Sequence, residues 1–528
     1  MRATLRSDWG VRYSPLVALK GTARMKRRIP ATMATQHPDN ACVPFWKRNG
    51  DAFVSVAEEL EECVTSFRDL GVSEFMWDWE GKYADEAVIE KLLSTHFEYF
   101  KKHQLGKDKC LTFRLPNLWK EKGYSLIRAL MVVLTSEDVA HDLNLKTRPL
   151  FEAILPMTET AEQIMYIHES FEKLARFKSS TFNHHKNKNS EYLSLIPLIE
   201  GVDDQMHVKE LLNSYVKLHV KHYGKKPEYM RPFLARSDPA LLSGFIPNVL
   251  ANKIALSDIY MFGKEKGVPM FPWIGAGSLV FRGGLNPRRV AQFVDEYRGI
   301  RTVTIQSAFR YDYPLSEVRR AIQYLEKTVP KSQVHHVGPQ DSDVLKRIIT
   351  RFSSIYRETV AEILPDLEPL FAACPKRRER RQHTGLLAYK RQAGNISLPR
   401  AISFSASCYS LGIPPEFIGL GRALSSLSKE EAVVLRKYYR HVKRDVVEAG
   451  RYLNRENLAM LTKRNHSWKL LDADIRLTED FFGVHFTPKS KDELLHRNLS
   501  SQLFLRQDEP QELTSLIIET GKLRRSIG

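Results

Sequence analysis

Short β-favouring runs separated by helix-like stretches recur through the first three-fifths of the chain, and this beat constrains the fold more than any other feature. The runs fall at Glu74–Trp79, Leu111–Leu115, Phe151–Leu155, Leu193–Ile199, Pro232–Ala235, Met270–Ile274 and Thr302–Ile305. Their starts lie about 32 to 42 residues apart, and most gaps hold amphipathic stretches such as Ala84–Phe100 and Leu285–Arg298. Strand, helix and strand at that interval build βαβ units around a parallel sheet. Seven beats, with an eighth expected near Ser403–Tyr409, predict a (β/α)8 TIM-type barrel enlarged by additional α-helices. Length alone, at roughly 150 residues per domain, would divide the 528 residues into three or so domains. The beat instead makes 25–528 a single barrel domain, with helical additions mainly at 315–400 and 425–528. The clearest of these are Ser316–Lys327, Leu345–Leu364 and Lys429–Leu453.

Each run ends in a polar tip. Trp77–Lys82, Phe113–Asn117, Leu155–Thr158, Pro197–Glu200, Ala235–Asp238, Gly275–Ser278 and Gln306–Arg310 carry arginines, carboxylates, glycines or prolines. A barrel places its active site at the carboxyl-terminal ends of its strands, where these tips gather. Glu200 and Asp238 end neighbouring strands and can either hold one Mg²⁺ or Mn²⁺ through oxygen ligands or cap the helices that follow. The stretch Gly275–Pro287 packs four glycines and Arg282 into thirteen residues, which suits an anion loop but lacks the P-loop ending and the dinucleotide spacing. His37 stands in Met33–Asn40, outside any apolar period and fixed by Pro38. Arg400, in Leu398–Ile402, precedes the expected eighth strand.

Composition narrows the classes. No apolar run approaches 18 residues, so no membrane span is expected. Five cysteines without a CxxC pair give neither a disulfide framework nor a thiolate zinc site, which suits a cytoplasmic location. The net charge is +18, from 80 basic and 62 acidic residues. Residues 1–30 carry eight basic groups and one acid, leaving +11 for the remainder. Residues 1–24 read as a dispensable basic tail, and Lys376–Arg381 as a solvated charge run. Phe177–Ser190 reads as a polar loop with His184 and His185 exposed, and Lys522–Gly528 as a frayed basic end. No RNP-type motif or zinc knuckle accompanies the charge, so no nucleic-acid partner is expected.

The Met33–Asn40 turn, Trp77–Lys82, the Glu200 and Asp238 strand ends, the glycine–arginine loop and Thr304–Tyr313 together resemble archaeal-type phosphoenolpyruvate carboxylase, from about Met25 to Gly528. The resemblance implies joining of phosphoenolpyruvate to bicarbonate, giving oxaloacetate and phosphate, with Mg²⁺ or Mn²⁺ and no biotin. It implies an anaplerotic role and a homotetramer. Thr35-Gln-His-Pro38 is similar to the Thr-Ala-His-Pro motif of the larger carboxylases, which makes His37 the catalytic histidine. Pro197–Asp204 and Ser237-Asp238 resemble their metal-binding segments, assigning Glu200 and Asp238 as ligands. Phe281–Gly284, Gln306–Arg310 and Leu398–Ile402 likewise assign anion roles to Arg282, Arg310 and Arg400. The His-Gly-Arg-Gly-Gly start of their loop is Ile274-Gly-Ala-Gly-Ser here, and a lysine near the metal aspartate is Leu241. Arg114, Arg236 or Lys82 is expected to supply the missing charge, and Ser278–Asn286 to close over the site. The competing reading is another metal-dependent barrel lyase or aldolase acting on pyruvate-like substrates.

Overall fold

A computed structural model describes residues 28–121, 123–182, 191–379, 391–393, 396–507 and 509–528. The tail at 1–24 and the pair His184 and His185 lie outside the described residues. Eight strands form a closed barrel in chain order: β1 Thr32–Ala34, β2 Glu74–Asp78, β3 Cys110–Arg114, β4 Glu152–Leu155, β5 Ser194–Ile199, β6 Phe233–Ala235, β7 Trp273–Gly275 and β8 Thr302–Ile305. Every neighbouring pair is parallel, and β1 closes the ring against β8 through Met33 opposite Thr304. The enlarged (β/α)8 barrel expected from the beat is the observed fold.

The eighth strand is at the other end of the chain from where the sequence placed it. Ser403–Tyr409 lies within a helix, Ala401–Ser410, most of whose residues are buried. A helix packed on all sides has no polar stripe, so its run of small apolar residues lacks the 3.6-residue period. The strand that was missed, β1, is three residues long and reads Thr-Met-Ala, with little β-branched character to signal it. The polar loop expected at Phe177–Ser190 also needs correction, because helix Ala161–Phe182 continues through its first six residues.

Strand alternation sorts the barrel interior into three layers. The inward positions of β2 are Glu74, Met76 and Asp78, one in each layer. The floor is polar: Arg231 donates to Glu74 Oε2 at 2.8 Å, to Glu152 Oε2 at 2.5 Å and to Thr302 Oγ1 at 3.0 Å. Its guanidinium stacks 4.0 Å from the centre of the Trp273 ring. Above lies an apolar layer of Met33, Met76, Ile154, Ile196, Phe233 and Trp273. The mouth is polar again, with Asp78, Arg114, Glu200 and Gln306.

A second apolar core, distinct from the one between barrel and surrounding helices, joins the C-terminal helices. Helices Pro339–Ile363, Ala401–Ser410, Trp468–Phe482 and Pro510–Arg524 contribute to it. Each fully buried Leu, Ile or Phe there contributes about 1.5–3 kcal/mol. This body carries Arg400, Glu416 and Gly528 to the barrel mouth.

Candidate active site

Two adjoining cavities open at the carboxyl-terminal ends of the strands. The larger, of about 480 Å³, is lined by His37, Arg114, Asp238, Arg282 and Arg400, among others. The smaller, of about 50 Å³, reaches deeper and shares His37, Arg114 and Asp238 while adding Glu200, Arg236 and Gln306. Basic residues on the larger wall are Arg114, Arg282, Lys376, Arg377, Arg378 and Arg400, against Glu80, Asp238 and Glu379. The excess of cations favours an anionic occupant.

His37 follows β1 by three residues, with Nδ1 2.9 Å from Thr35 Oγ1. The turn that carries it is fastened from below. Arg310 Nη2 donates to the Thr35 carbonyl at 2.6 Å, and Lys82 Nζ donates to Gln36 Oε1 at 2.8 Å. Both side chains are buried, Arg310 against Glu62 and Lys82 against Glu59, and neither lines either cavity. The structure thus places the Arg310 and Lys82 side chains beneath the turn, each paired with a buried carboxylate and away from both cavity walls. Burial would raise the Glu62 carboxyl, but the Arg378 and Arg310 guanidinia outweigh it and hold it at about 2.

Arg114 reaches the cavities with part of its charge committed. Its Nε donates to Asp78 Oδ1 at 2.9 Å and its Nη2 to Asp78 Oδ2 at 2.6 Å, with Glu80 Oε2 2.9 Å from Nη1. Burial works against its charge, yet Asp78, Glu80 and, more weakly, Glu200 hold its acid dissociation well above the usual range. Arg236 lines the deeper cavity and bonds Asn248 Oδ1, while its Nε has no partner among the described residues. Arg400 stands at the N-cap of Ala401–Ser410 instead of before a strand.

Arg282 is the most firmly held of these arginines. Its Nε donates to Ser237 Oγ at 3.2 Å, its Nη2 to Gln306 Oε1 at 2.6 Å, and its Nη1 to Asp39 Oδ2 at 3.1 Å and a Gly528 oxygen at 2.5 Å. The surrounding loop folds on itself: Gly277 N–H donates to the Arg282 carbonyl at 2.8 Å and Leu285 N–H to the Gly277 carbonyl at 2.9 Å. Gly283 has φ +125°, and a Cβ there would meet the Ala276 Cβ at 2.6 Å, so only glycine fits. In this structure Ser278–Asn286, the segment expected to close over the site, is folded on itself by these bonds, with Ser278 and Arg282 buried.

Glu200 and Asp238 face the same deep cavity. Glu200 Oε2 accepts from the Met157 N–H at 3.1 Å, and Asp238 lies in the first turn of helix Ser237–Ser243. Among the described residues no cluster of three His, Cys, Asp or Glu gathers as a metal cage. Two carboxylates beside open volume nevertheless fit Mg²⁺ or Mn²⁺, which keep waters and take substrate oxygens.

Several participants were not legible in the sequence. Asp39 joins the parts: its carboxylate accepts from Arg282 and, at 2.8 Å, from the Ala308 N–H, while its carbonyl accepts from the Ile527 N–H at 2.7 Å. Within the run that starts at Lys376, Arg377 and Arg378 are buried on the cavity wall and Arg378 pairs with Glu59 and Glu62, while Lys376 and Glu379 are exposed and Arg380 and Arg381 lie outside the described residues. The end Lys522–Gly528 is seated rather than frayed, with Arg524 and Ile527 buried. The adjacency of Asp39 to His37-Pro38 was the one available signal; the other contacts join segments hundreds of residues apart.

The sequence profile of the family described as phosphoenolpyruvate carboxylase matches residues 29–528. A phosphoenolpyruvate carboxylase of Leuconostoc mesenteroides is 44% identical over 503 residues, covering 95% of this chain and 99% of its own. The enzyme of that name from Oenococcus oeni is 43% identical, covering 96% and 100%. The one from Metallosphaera sedula, an archaeal-type relative, is 36% identical, covering 95% and 100%.

Proposed function

The chain belongs to the archaeal-type phosphoenolpyruvate carboxylase family and carboxylates phosphoenolpyruvate, and from that premise we propose how its barrel mouth divides the work. Arg282 and Arg400 bind the phosphate and carboxylate of phosphoenolpyruvate, with Arg114 and Arg236 completing the cationic wall. Glu200 and Asp238 would hold Mg²⁺ or Mn²⁺, which when bound supplies positive charge opposite the developing enolate oxygen. Bicarbonate oxygen attacks phosphorus as the bond from phosphorus to the enol oxygen breaks, giving carboxyphosphate and the enolate of pyruvate. His37 then takes the carboxyphosphate proton, and cleavage of its carbon–oxygen bond releases CO₂ and phosphate. The enolate carbon attacks CO₂ to form oxaloacetate, a four-carbon acid suited to an anaplerotic supply. Arg310 and Lys82 serve by holding the Thr35–Gln36 backbone and side chain that present the imidazole.

The observation that carries this reading is that His37, Glu200, Asp238, Arg114 and Arg282 line adjoining cavities at one barrel mouth. A coupled malate dehydrogenase assay with bicarbonate and Mg²⁺ omitted in turn tests the reaction, and each omission should abolish oxaloacetate. Replacing His37 with Asn should preserve bicarbonate-dependent phosphate release while oxaloacetate falls at least about a hundredfold, within the usual span for a lost acid–base group. Oxaloacetate formation at the parent rate would remove His37 from the mechanism.

A further inference from the structure

The carboxyl group of Glu416 is buried, with 1% of its surface exposed, and the donors it meets are both uncharged. A buried carboxyl without a counter-ion is costly to ionise, which directs attention to the hydrogen bonds it accepts. Its Oε1 accepts from the Phe281 N–H at 2.7 Å and from the Tyr409 hydroxyl at 2.6 Å. Phe281 sits in the single turn Val280–Arg282, and the first N–H groups of such a turn point outward with no partner inside it. Glu416 reaches this N–H from the short turn Pro415–Phe417, 135 residues away in the chain. The Phe281 ring meanwhile packs against Phe404, 5.7 Å between centres. The helical body thus holds the Phe281 backbone one residue before Arg282, whose side chain is held by Asp39, Ser237, Gln306 and the Gly528 oxygen.

We propose that Glu416 is a positioning residue for Arg282, fixing the Phe281–Arg282 backbone so that the guanidinium is presented to the anionic substrate. This rests on the reading of Arg282 as an anion-binding group. Glu416 itself touches no substrate.

The test compares Glu416→Ala, which removes the acceptor, Glu416→Asp, which shortens it by one methylene, and Glu416→Gln, which retains it. For each, kcat and KM for phosphoenolpyruvate are measured at saturating bicarbonate and Mg²⁺, alongside the thermal midpoint. The Ala and Asp enzymes should lose about tenfold in kcat/KM, the scale of one well-placed hydrogen bond, and the Gln enzyme should stay within about twofold. In an Arg282→Gln background the Glu416→Ala change should have no further effect, since the group it positions is gone. Lowered midpoints with parental kcat/KM in both Ala and Asp would overturn the proposal, as would equal losses with and without Arg282. Should the Ala enzyme not fold, the Asp and Gln enzymes decide by the same criterion. An Arg282→Gln enzyme as active as the parent would instead overturn the anion-binding reading beneath it.

Discussion

Glu416 illustrates how a single side chain couples this fold to protons. Burial raises its carboxyl from 4.5 to about 7, against the hydrogen bonds from Tyr409 and Phe281, with the Asp445 charge adding a little. Tyr409, Tyr356 and Cys408 pack around it and are themselves pushed up in part by its charge. The folded-state value lies above the unfolded one, so the folded protein keeps a proton that the unfolded chain releases first. The stability this contributes is complete below about pH 4.5 and is lost as pH rises to about 7, on the order of 3 kcal/mol at most. Glu416→Gln has no such titration. The parent's thermal midpoint, taken relative to that variant, should therefore fall between about pH 4.5 and pH 7 and level off above; a constant difference would show that the carboxyl does not titrate in this window. At this scale the sequence revealed residue types and neighbours in the chain, which sufficed to pick out His37, Glu200, Asp238 and Arg282 as residues that line the cavities. It could not reveal that Glu59 and Glu62 claim Lys82, Arg310 and Arg378, because those pairs form only when distant segments meet.

Among the elements, the strands divide into a floor that stabilises and a mouth that reacts. Replacing Arg231 with Met should leave Glu74 and Glu152 facing each other without their cation, a loss of about 3–5 kcal/mol. The thermal midpoint should drop accordingly while kcat/KM of the folded enzyme stays within about threefold of the parent. A large kinetic defect would mean that the floor and mouth are coupled. Seven strands were legible because each has several β-favouring residues and a polar tip. β1 has neither the length nor the composition, although its start, 42 residues before that of β2, continues the beat backwards. Helix Ala401–Ser410 was misread for the opposite reason, since nearly uniform burial erases the period by which helices are recognised.

For the whole molecule, the +18 charge and the cation-rich cavity wall should draw phosphoenolpyruvate inward. Raising ionic strength from about 20 to about 200 mM with an inert salt should lower kcat/KM for phosphoenolpyruvate several-fold while kcat changes little, because screening weakens attraction over distances near the Debye length. A kcat/KM indifferent to salt would confine the effect of the charge to direct contacts. The three-layered barrel interior sets the direction of that traffic. With the Arg231 cluster at its base and packed apolar side chains above it, the barrel is a blind vessel and not a conduit. Whatever enters must leave by the same opening, so phosphate and oxaloacetate depart along the path their precursors took, and each turnover has to empty the vessel before the next can fill it.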